Sequence, residues 1–107
     1  MIVLFVTLED DIAPRFDLAT EVIISRIEDG KRVEETRTLL LSTKSAEDLC
    51  ALAVKEKISI IVCGAIEEEH YQYLQWKQIR VIDNIIGRYS QALHLLLHNK
   101  LIADSFI

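Results

Sequence analysis

The chain has 107 residues, of which 50% are hydrophobic and 27% are charged, and its formal net charge at pH 7 is -5. This size and composition are typical of one globular domain with its own core, and we expect a single domain over residues 1–107. The 12 basic residues are scattered among 17 acidic ones, which argues against nucleic-acid binding because phosphate contacts need clustered lysine and arginine. The apolar start has no basic stretch or cleavage site and no run reaches the length of a membrane span, so we expect a cytoplasmic protein without membrane contact.

The first half of the chain predicts a meander of three antiparallel strands. The first is a short run of β-branched and aromatic residues, typical of a strand buried on both faces. Asp29 and Gly30 form a common hairpin sequence between the second and third strands. The third strand is so polar that we expect it at the edge of the sheet. We place these strands at residues 2–8, 21–28 and 31–40.

The loop between the first two strands, residues 9–19, is longer than a tight hairpin needs. Pro14 excludes a regular strand or helix interior there, and we expect Asp17 to cap a short helical turn. Loops held by a rigid sheet often carry binding residues, although a plain connector is the alternative.

The second half of the chain alternates helices and strands. Ser45 with Asp48 three residues later resembles the start of a helix that continues to about Lys57. The apolar run 60–63 ends at Gly64, and a helix begins close behind it, with acidic residues that suit a helix N-terminus. The remaining predicted elements are a strand at 78–83, a turn at 84–87, a helix at 88–98, and a tail that either ends loosely or adds a short edge contact.

This element order predicts an α/β fold of the ribonuclease H-like class. Right-handed crossovers give a five-stranded mixed sheet of order 3-2-1-4-5, in which strands 1–3 are antiparallel, strands 4 and 5 run parallel to strand 1, and three helices cover the sheet. The carboxyl ends of strands 1, 4 and 5 then meet at one edge, where open α/β sheets bind ligands. The loops expected at this crevice are residues 8–16, 63–67 and 83–87.

The fold class raises a nuclease hypothesis, which the residues do not support. Two-metal nucleases of this class need carboxylates within the first strand and near the fourth, and neither strand contains an acid here. With only three glycines the chain also lacks a phosphate-binding loop or a dinucleotide fingerprint, and no Ser/His/Asp pattern is present. We therefore expect a protein that is not an enzyme.

Cysteine and histidine residues are the candidate metal ligands. Cys63 and His70 flank a glycine turn, and a thiolate with an imidazole can hold zinc or an iron–sulfur species; the alternative is that both are packing residues. His94 and His98 are spaced i, i+4 like two zinc ligands, but the helix dipole also favours imidazoles in a last turn. Cys50 lies in an apolar stripe and reads as a core residue, and two cysteines without CxxC spacing make no disulfide framework.

Aromatic residues crowd the second predicted helix. Tyr71, Tyr73 and Trp76 form a surface that either meets a partner or a second copy of the chain, or packs locally on the sheet. A homodimer is therefore one expected assembly.

Three motifs, in order along nearly the whole chain, resemble one protein family. Residues 14–19 keep the proline, phenylalanine and alanine of a Pro-His-Phe-Gly-Arg-Ala loop, and 63–67 match the start of a Cys-Gly-Gly-Ile-Gly turn. Gly87, the pair Ala92–Leu93 and residues 100–101 match its last helix. On these residues the chain resembles the dinitrogenase iron–molybdenum cofactor-binding family, which includes nitrogenase accessory factors.

The resemblance implies a ribonuclease H-like fold and a non-enzymatic protein that binds or carries an iron–molybdenum or related metal–sulfur cluster. Under this hypothesis the cofactor-binding residues are Cys63, Gly64 and Arg15, the metal ligands are Cys63 and His70, and the partner is a protein that donates or accepts the cluster.

Several departures from the family pattern concern function. Arg15 replaces the loop histidine, and Ala65 and Glu67 replace two glycines whose backbone N–H groups could approach an anion. The acidic run 67–69 would repel a negatively charged cluster. The alternative hypothesis is a degenerate family member that acts as a protein-interaction or regulatory module without a cluster.

Overall fold

The computed structural model of this protein describes residues 1–31 and 36–107. The sheet contains the strands β1 (Ile2–Leu8), β2 (Asp11–Ile12), β3 (Glu21–Glu28), β4 (Lys31–Leu40), β5 (Ile60–Val62) and β6 (Arg80–Ile82). The helices are α1 (Ala46–Lys55), α2 (Glu68–Trp76) and α3 (Tyr89–Leu97), and a 3-10 turn spans Phe16–Leu18. The described helices include none that is both long and apolar enough to cross a membrane.

The sheet order is β4-β3-β1-β5-β6, which confirms the predicted order of the five main strands. β1 is antiparallel to β3 and parallel to β5, and β6 is parallel to β5. The prediction missed one strand: β2, two residues inside the first loop, pairs antiparallel with the end of β1. Two residues carry no periodicity of their own, so only their pairing with Thr7 and Leu8 makes them a strand.

β1 divides the apolar core into two layers. Because side chains alternate along a strand, Leu4 and Val6 face one layer and Val3 and Phe5 face the other. The first layer is completed by residues of α1 and α2, and the second by residues of α3. All four of these β1 side chains are fully buried, as predicted for a central strand.

Local sequence explains the hairpin and the first helix. Asp29 and Gly30 adopt φ angles of 53° and 71°, which the tight turn between β3 and β4 requires and which glycine adopts without strain. At the start of α1, Ser45 Oγ accepts a hydrogen bond from the Asp48 backbone N–H at 3.1 Å, as predicted. The prediction for Asp17 was wrong: it lies within the 3-10 turn and makes no cap.

Two polar contacts join residues that lie directly opposite each other in the sheet. Thr7, which is 1% exposed, donates its hydroxyl to Glu21 Oε1 at 2.7 Å across the β1–β3 pair. Ser25, which is fully buried, contacts the Thr36 hydroxyl at 3.2 Å across the β3–β4 pair. Each buried hydroxyl is thus satisfied by its own cross-strand neighbour.

Candidate binding crevice

A crevice of about 680 Å³ opens at the carboxyl ends of β1, β5 and β6. Its position is that predicted from the sheet order, and the three expected loops all contribute to it. Most of the lining consists of apolar side chains and backbone. The lining residues are Leu8, Asp11, Ile12, Pro14, Gly64, Ala65, Asn84, Ile85, Ile86, Gly87 and Asp104.

Gly64 holds the floor of the crevice against the β1–β3 loop. The loop passes so close that a Cβ on Gly64 would lie 2.5 Å from the Pro14 carbonyl oxygen and also collide with the Ala13 carbonyl. Backbone hydrogen bonds of 2.8 Å run from the Ala65 N–H to the Pro14 carbonyl and from the Phe16 N–H to the Ala65 carbonyl. The glycine is therefore needed for close approach of two backbones.

The C-terminal segment 101–107 contributes Asp104 to the lining of the crevice. It makes the short edge contact that was one of the two predicted outcomes, a parallel bridge between Ile86 and Phe106. The Asn84 Nδ2 donates to Asp104 Oδ1 at 2.8 Å, and the Asp104 backbone N–H donates to the Asp83 carbonyl at 3.0 Å. These bonds fix Asp104 at the crevice.

The charged groups of the crevice are acidic. Asp11 and Asp104 line it, and Asp83 directly precedes the lining residue Asn84 and accepts the backbone hydrogen bond of Asp104. Burial raises the pKa of Asp83 above its usual value, and the nearby carboxylates of Asp104 and Glu68 act in the same direction. The field at this site therefore favours cations.

Cys63 does not line the crevice, although it directly precedes Gly64. Its side chain is fully buried and belongs to the core layer beneath α1 and α2. Burial, aided by the charge of Asp83, raises the pKa of the Cys63 thiol far above its usual value. Since the thiolate is the metal-ligating form, the folded structure keeps this sulfur in its unreactive state.

Arg15 lies beside the crevice floor and is paired with Asp17. Its backbone bridges Ala65, while its guanidinium donates to Asp17 Oδ2 at 2.6 Å and to Oδ1 at 3.1 Å. This hydrogen-bonded pairing raises the pKa of Arg15 and lowers that of Asp17. The guanidinium is directed to its own loop and is absent from the crevice lining.

His70 lies on the side of α2 that faces α1. Its ring is tilted against that of Phe16, with centroids 6.3 Å apart, and its side chain is 13% exposed. Ligand atoms of His70, Glu67 and Glu69 lie within 4.8 Å of one another, and within the described part of the chain this group does not include Cys63. The structure thus separates the two residues predicted to share a metal.

A second cavity of about 410 Å³ lies between α1 and α2 and is lined by Glu47, Cys50, Ala51, Glu69, His70 and Tyr73. Cys50 is 4% exposed, and burial raises the pKa of its thiol to about 11. This agrees with its predicted place in the core. Of the predicted aromatic surface, Trp76 is 73% exposed and its ring lies 4.6 Å from Lys77 Nζ.

His94, in the last turn of α3, and His98, the residue directly after the helix, lie close together. The ring centroids of His94 and His98 are 4.4 Å apart, and His98 Nδ1 donates to the His94 carbonyl at 2.8 Å. One of the four ring nitrogens is therefore already used within the helix, and both side chains belong to exposed residues.

The sequence prediction missed Asp104 as part of the crevice. The apolar residues after Lys100 are an indication that this segment packs on the fold, but they do not say where. Its position depends on backbone bonds to the loop after β6, which have no sequence pattern.

Comparison with solved structures supports this architecture. No family model matches the sequence, and no curated protein matches it. The protein PH0822 superposes with a TM-score of 0.87 at 19% identity, covering 97% of this chain and 95% of its own. A protein from Methanocaldococcus jannaschii named as a putative dinitrogenase gives a TM-score of 0.77 at 24% identity, with 94% and 91% covered.

The apo form of the orange protein from Desulfovibrio gigas gives a TM-score of 0.76 at 15% identity, with 95% of this chain and 91% of that chain covered. The chain shares the fold of these proteins. At these identities the likeness concerns the fold alone.

Proposed function

We propose that this chain is a non-enzymatic binding protein that holds an apolar ligand in the crevice at the ends of β1, β5 and β6. The observation that carries the proposal is the crevice itself: its volume of about 680 Å³ and its apolar lining with a few polar groups are typical of ligand sites. Among the residues that the structure describes, its titratable side chains are two carboxylates, and the lining includes no histidine, cysteine, serine or lysine. This composition supports binding over nucleophilic catalysis.

The test is titration with Nile red, a neutral apolar dye whose emission shifts to the blue in an apolar site. The wild type is expected to bind one dye per chain. Ala65→Leu places three additional carbon atoms in the crevice, and it should weaken dye binding about tenfold or more. The same substitution at Ala51, an exposed position on α1 that lines the second cavity, is the matched control.

The two variants distinguish the cavities. Loss of dye binding in Ala65→Leu alone supports the crevice, whereas loss in Ala51→Leu alone would place the dye between α1 and α2 and overturn the proposal. Circular dichroism of both variants verifies that each is folded.

A second candidate is a carrier of an iron–molybdenum or related metal–sulfur cluster as cargo, with a cluster donor or acceptor protein as its partner. The fold shared with a protein named as a putative dinitrogenase favours it. The residues fit it less well, because the Cys63 thiol is buried away from the crevice and the carboxylates of Asp11 and Asp104 would repel an anionic cluster. A cluster would have to be held by the Gly64 region without a thiolate.

Anaerobic incubation of the protein with iron–molybdenum cofactor, or with an iron–sulfur donor, tests this candidate. Stoichiometric metal and a visible chromophore would support it, and a colourless, metal-free product would eliminate it. Cys63→Ala tells whether the thiol contributes: unchanged metal loading excludes Cys63 as a ligand.

A further inference from the structure

The apolar surface of the crevice continues outward onto its rim. Leu8 and Ile86 line the crevice and are 56% and 60% exposed, and Phe106, which bridges Ile86, is 85% exposed. Single exposed apolar residues are common on protein surfaces, but three large ones around one concave site are typical of an interaction surface. We call the crevice together with Leu8, Ile86 and Phe106 the rim surface.

Carboxylates lie among these apolar residues. Asp11 and Asp104 both line the crevice, and among the described residues no ion pair reaches either of them. Arg88 forms a backbone bridge with Asp11, yet no ion pair joins their side chains, and the guanidinium of Arg15 is held by Asp17. Glu9 and Asp10, in the turn between β1 and β2, add further negative charge beside the crevice.

The exposed apolar residues and the crevice carboxylates together indicate the class of ligand, and this inference rests on the proposed function. We infer that the rim surface binds a short segment of a partner protein in which apolar side chains alternate with lysine or arginine. The apolar side chains enter the crevice and cover Leu8, Ile86 and Phe106, while the cations meet Asp11 and Asp104. Charge complementarity of this kind selects the partner and speeds its association.

The same charges disfavour the other occupants of an apolar groove. An anionic lipid surface would be repelled by the four acidic groups around the crevice. A second copy of this chain carries the same net charge of -5 and would bring like charges together. An uncharged small molecule would fill the apolar lining but would leave the two crevice carboxylates without a cationic partner.

Selection from a displayed library of random 12-residue peptides tests the class of ligand directly. The full-length wild-type protein is the bait, and clones that also bind Ala65→Leu are removed. The expected result is a set of peptides enriched in Lys or Arg together with Leu, Ile or Phe. Enrichment of acidic or purely polar peptides, or no clones specific to the wild type, would overturn the inference.

The best selected peptide then serves as the probe for charge. Asp11→Asn and Asp104→Asn should each weaken its binding by about two- to five-fold, and raising the salt concentration should weaken wild-type binding further. Asp104→Asn leaves an amide oxygen that can still accept the hydrogen bond from Asn84, so this variant removes the charge and keeps the hydrogen bond. Glu47→Gln on α1 is the matched control and should bind as the wild type does.

The Nile red titration separates this inference from the proposed function. Dye binding that depends on Ala65, together with failure of basic peptides, would refute the peptide ligand and leave the binding crevice supported. Equal peptide affinity in the two Asp variants and in Glu47→Gln would show that the carboxylates do not select the ligand, and this would also overturn the inference.

Discussion

Replacement of Gly64 by alanine tests the claim that two backbones must touch at the floor of the crevice. The added Cβ would lie 2.5 Å from the carbonyl oxygen of Pro14 and 2.8 Å from the carbonyl carbon of Pro14. It would also collide with the carbonyl oxygen of Ala13. Backbone atoms cannot rotate away as a flexible side chain can. The loop must therefore move outward, which strains or breaks the two 2.8 Å bonds that join Pro14 and Phe16 to Ala65.

The expected cost follows from these contacts. Overpacking in a well-packed region costs about 1–3 kcal/mol, and each weakened backbone bond adds about 1 kcal/mol at most. We expect Gly64→Ala to lower the free energy of unfolding by about 2–4 kcal/mol, which corresponds to a Tm decrease of roughly 10–25 °C. The assay is urea unfolding monitored by circular dichroism, combined with Nile red titration.

Gly30→Ala is the control, because it strains a positive φ of 71° in a hairpin far from the crevice. It should cost about 1–2 kcal/mol and leave dye binding unchanged. Gly64→Ala should lose both stability and dye affinity. A Gly64→Ala protein within about 0.5 kcal/mol of the wild type would refute the close-approach argument.

Three further outcomes are expected from single residues. The raised pKa of Asp83 means that its carboxylate opposes folding above that pKa; Asp83→Asn should therefore raise the Tm at pH 7, and the gain should disappear as the pH falls below 3.8, where both folded and unfolded states are protonated. Cys63 should resist thiol reagents at pH 8 until urea unfolds the protein, and fast labelling of the native state would contradict its burial. Tyr89 has a buried hydroxyl with no hydrogen-bond partner among the described residues. Tyr89→Phe should therefore leave the free energy of unfolding unchanged or raise it by up to about 1 kcal/mol, as measured by urea unfolding. A clear decrease in that free energy would reveal a partner for the hydroxyl.

Much of the sheet could be predicted because its central strands are clear apolar runs. Runs such as residues 2–8 and 60–62 are too apolar for an edge and too short for a helix, and the crossover rule then leaves one sheet order. The position of the crevice followed from that order. β2 was missed because its two residues form a strand only through their partners in β1.

The side chains of the site were harder to place. Cys63 follows Val62, which faces α3, and alternation along the strand therefore turns the thiol toward α1 and α2 and away from the crevice. Arg15 was expected at the crevice, but a carboxylate two residues away in the same turn holds its guanidinium. Alternation along β5 could have been applied to Cys63 beforehand; the Arg15 pairing depends on loop geometry that the sequence does not specify.

The cross-strand contacts of Thr7 and Ser25 have a consequence for folding. Because β1 is apolar on both faces, a shift of β1 by one residue relative to β3 would replace one buried apolar face by another. Such a shift would cost little in apolar burial alone. Such a slip would, however, separate the Thr7 hydroxyl from Glu21, and a slip of β3 against β4 would separate Ser25 from Thr36. Each misalignment would leave a buried hydroxyl without a hydrogen-bond partner, at a cost of about 1–3 kcal/mol. These few polar atoms therefore favour the native register of the strands over shifted ones.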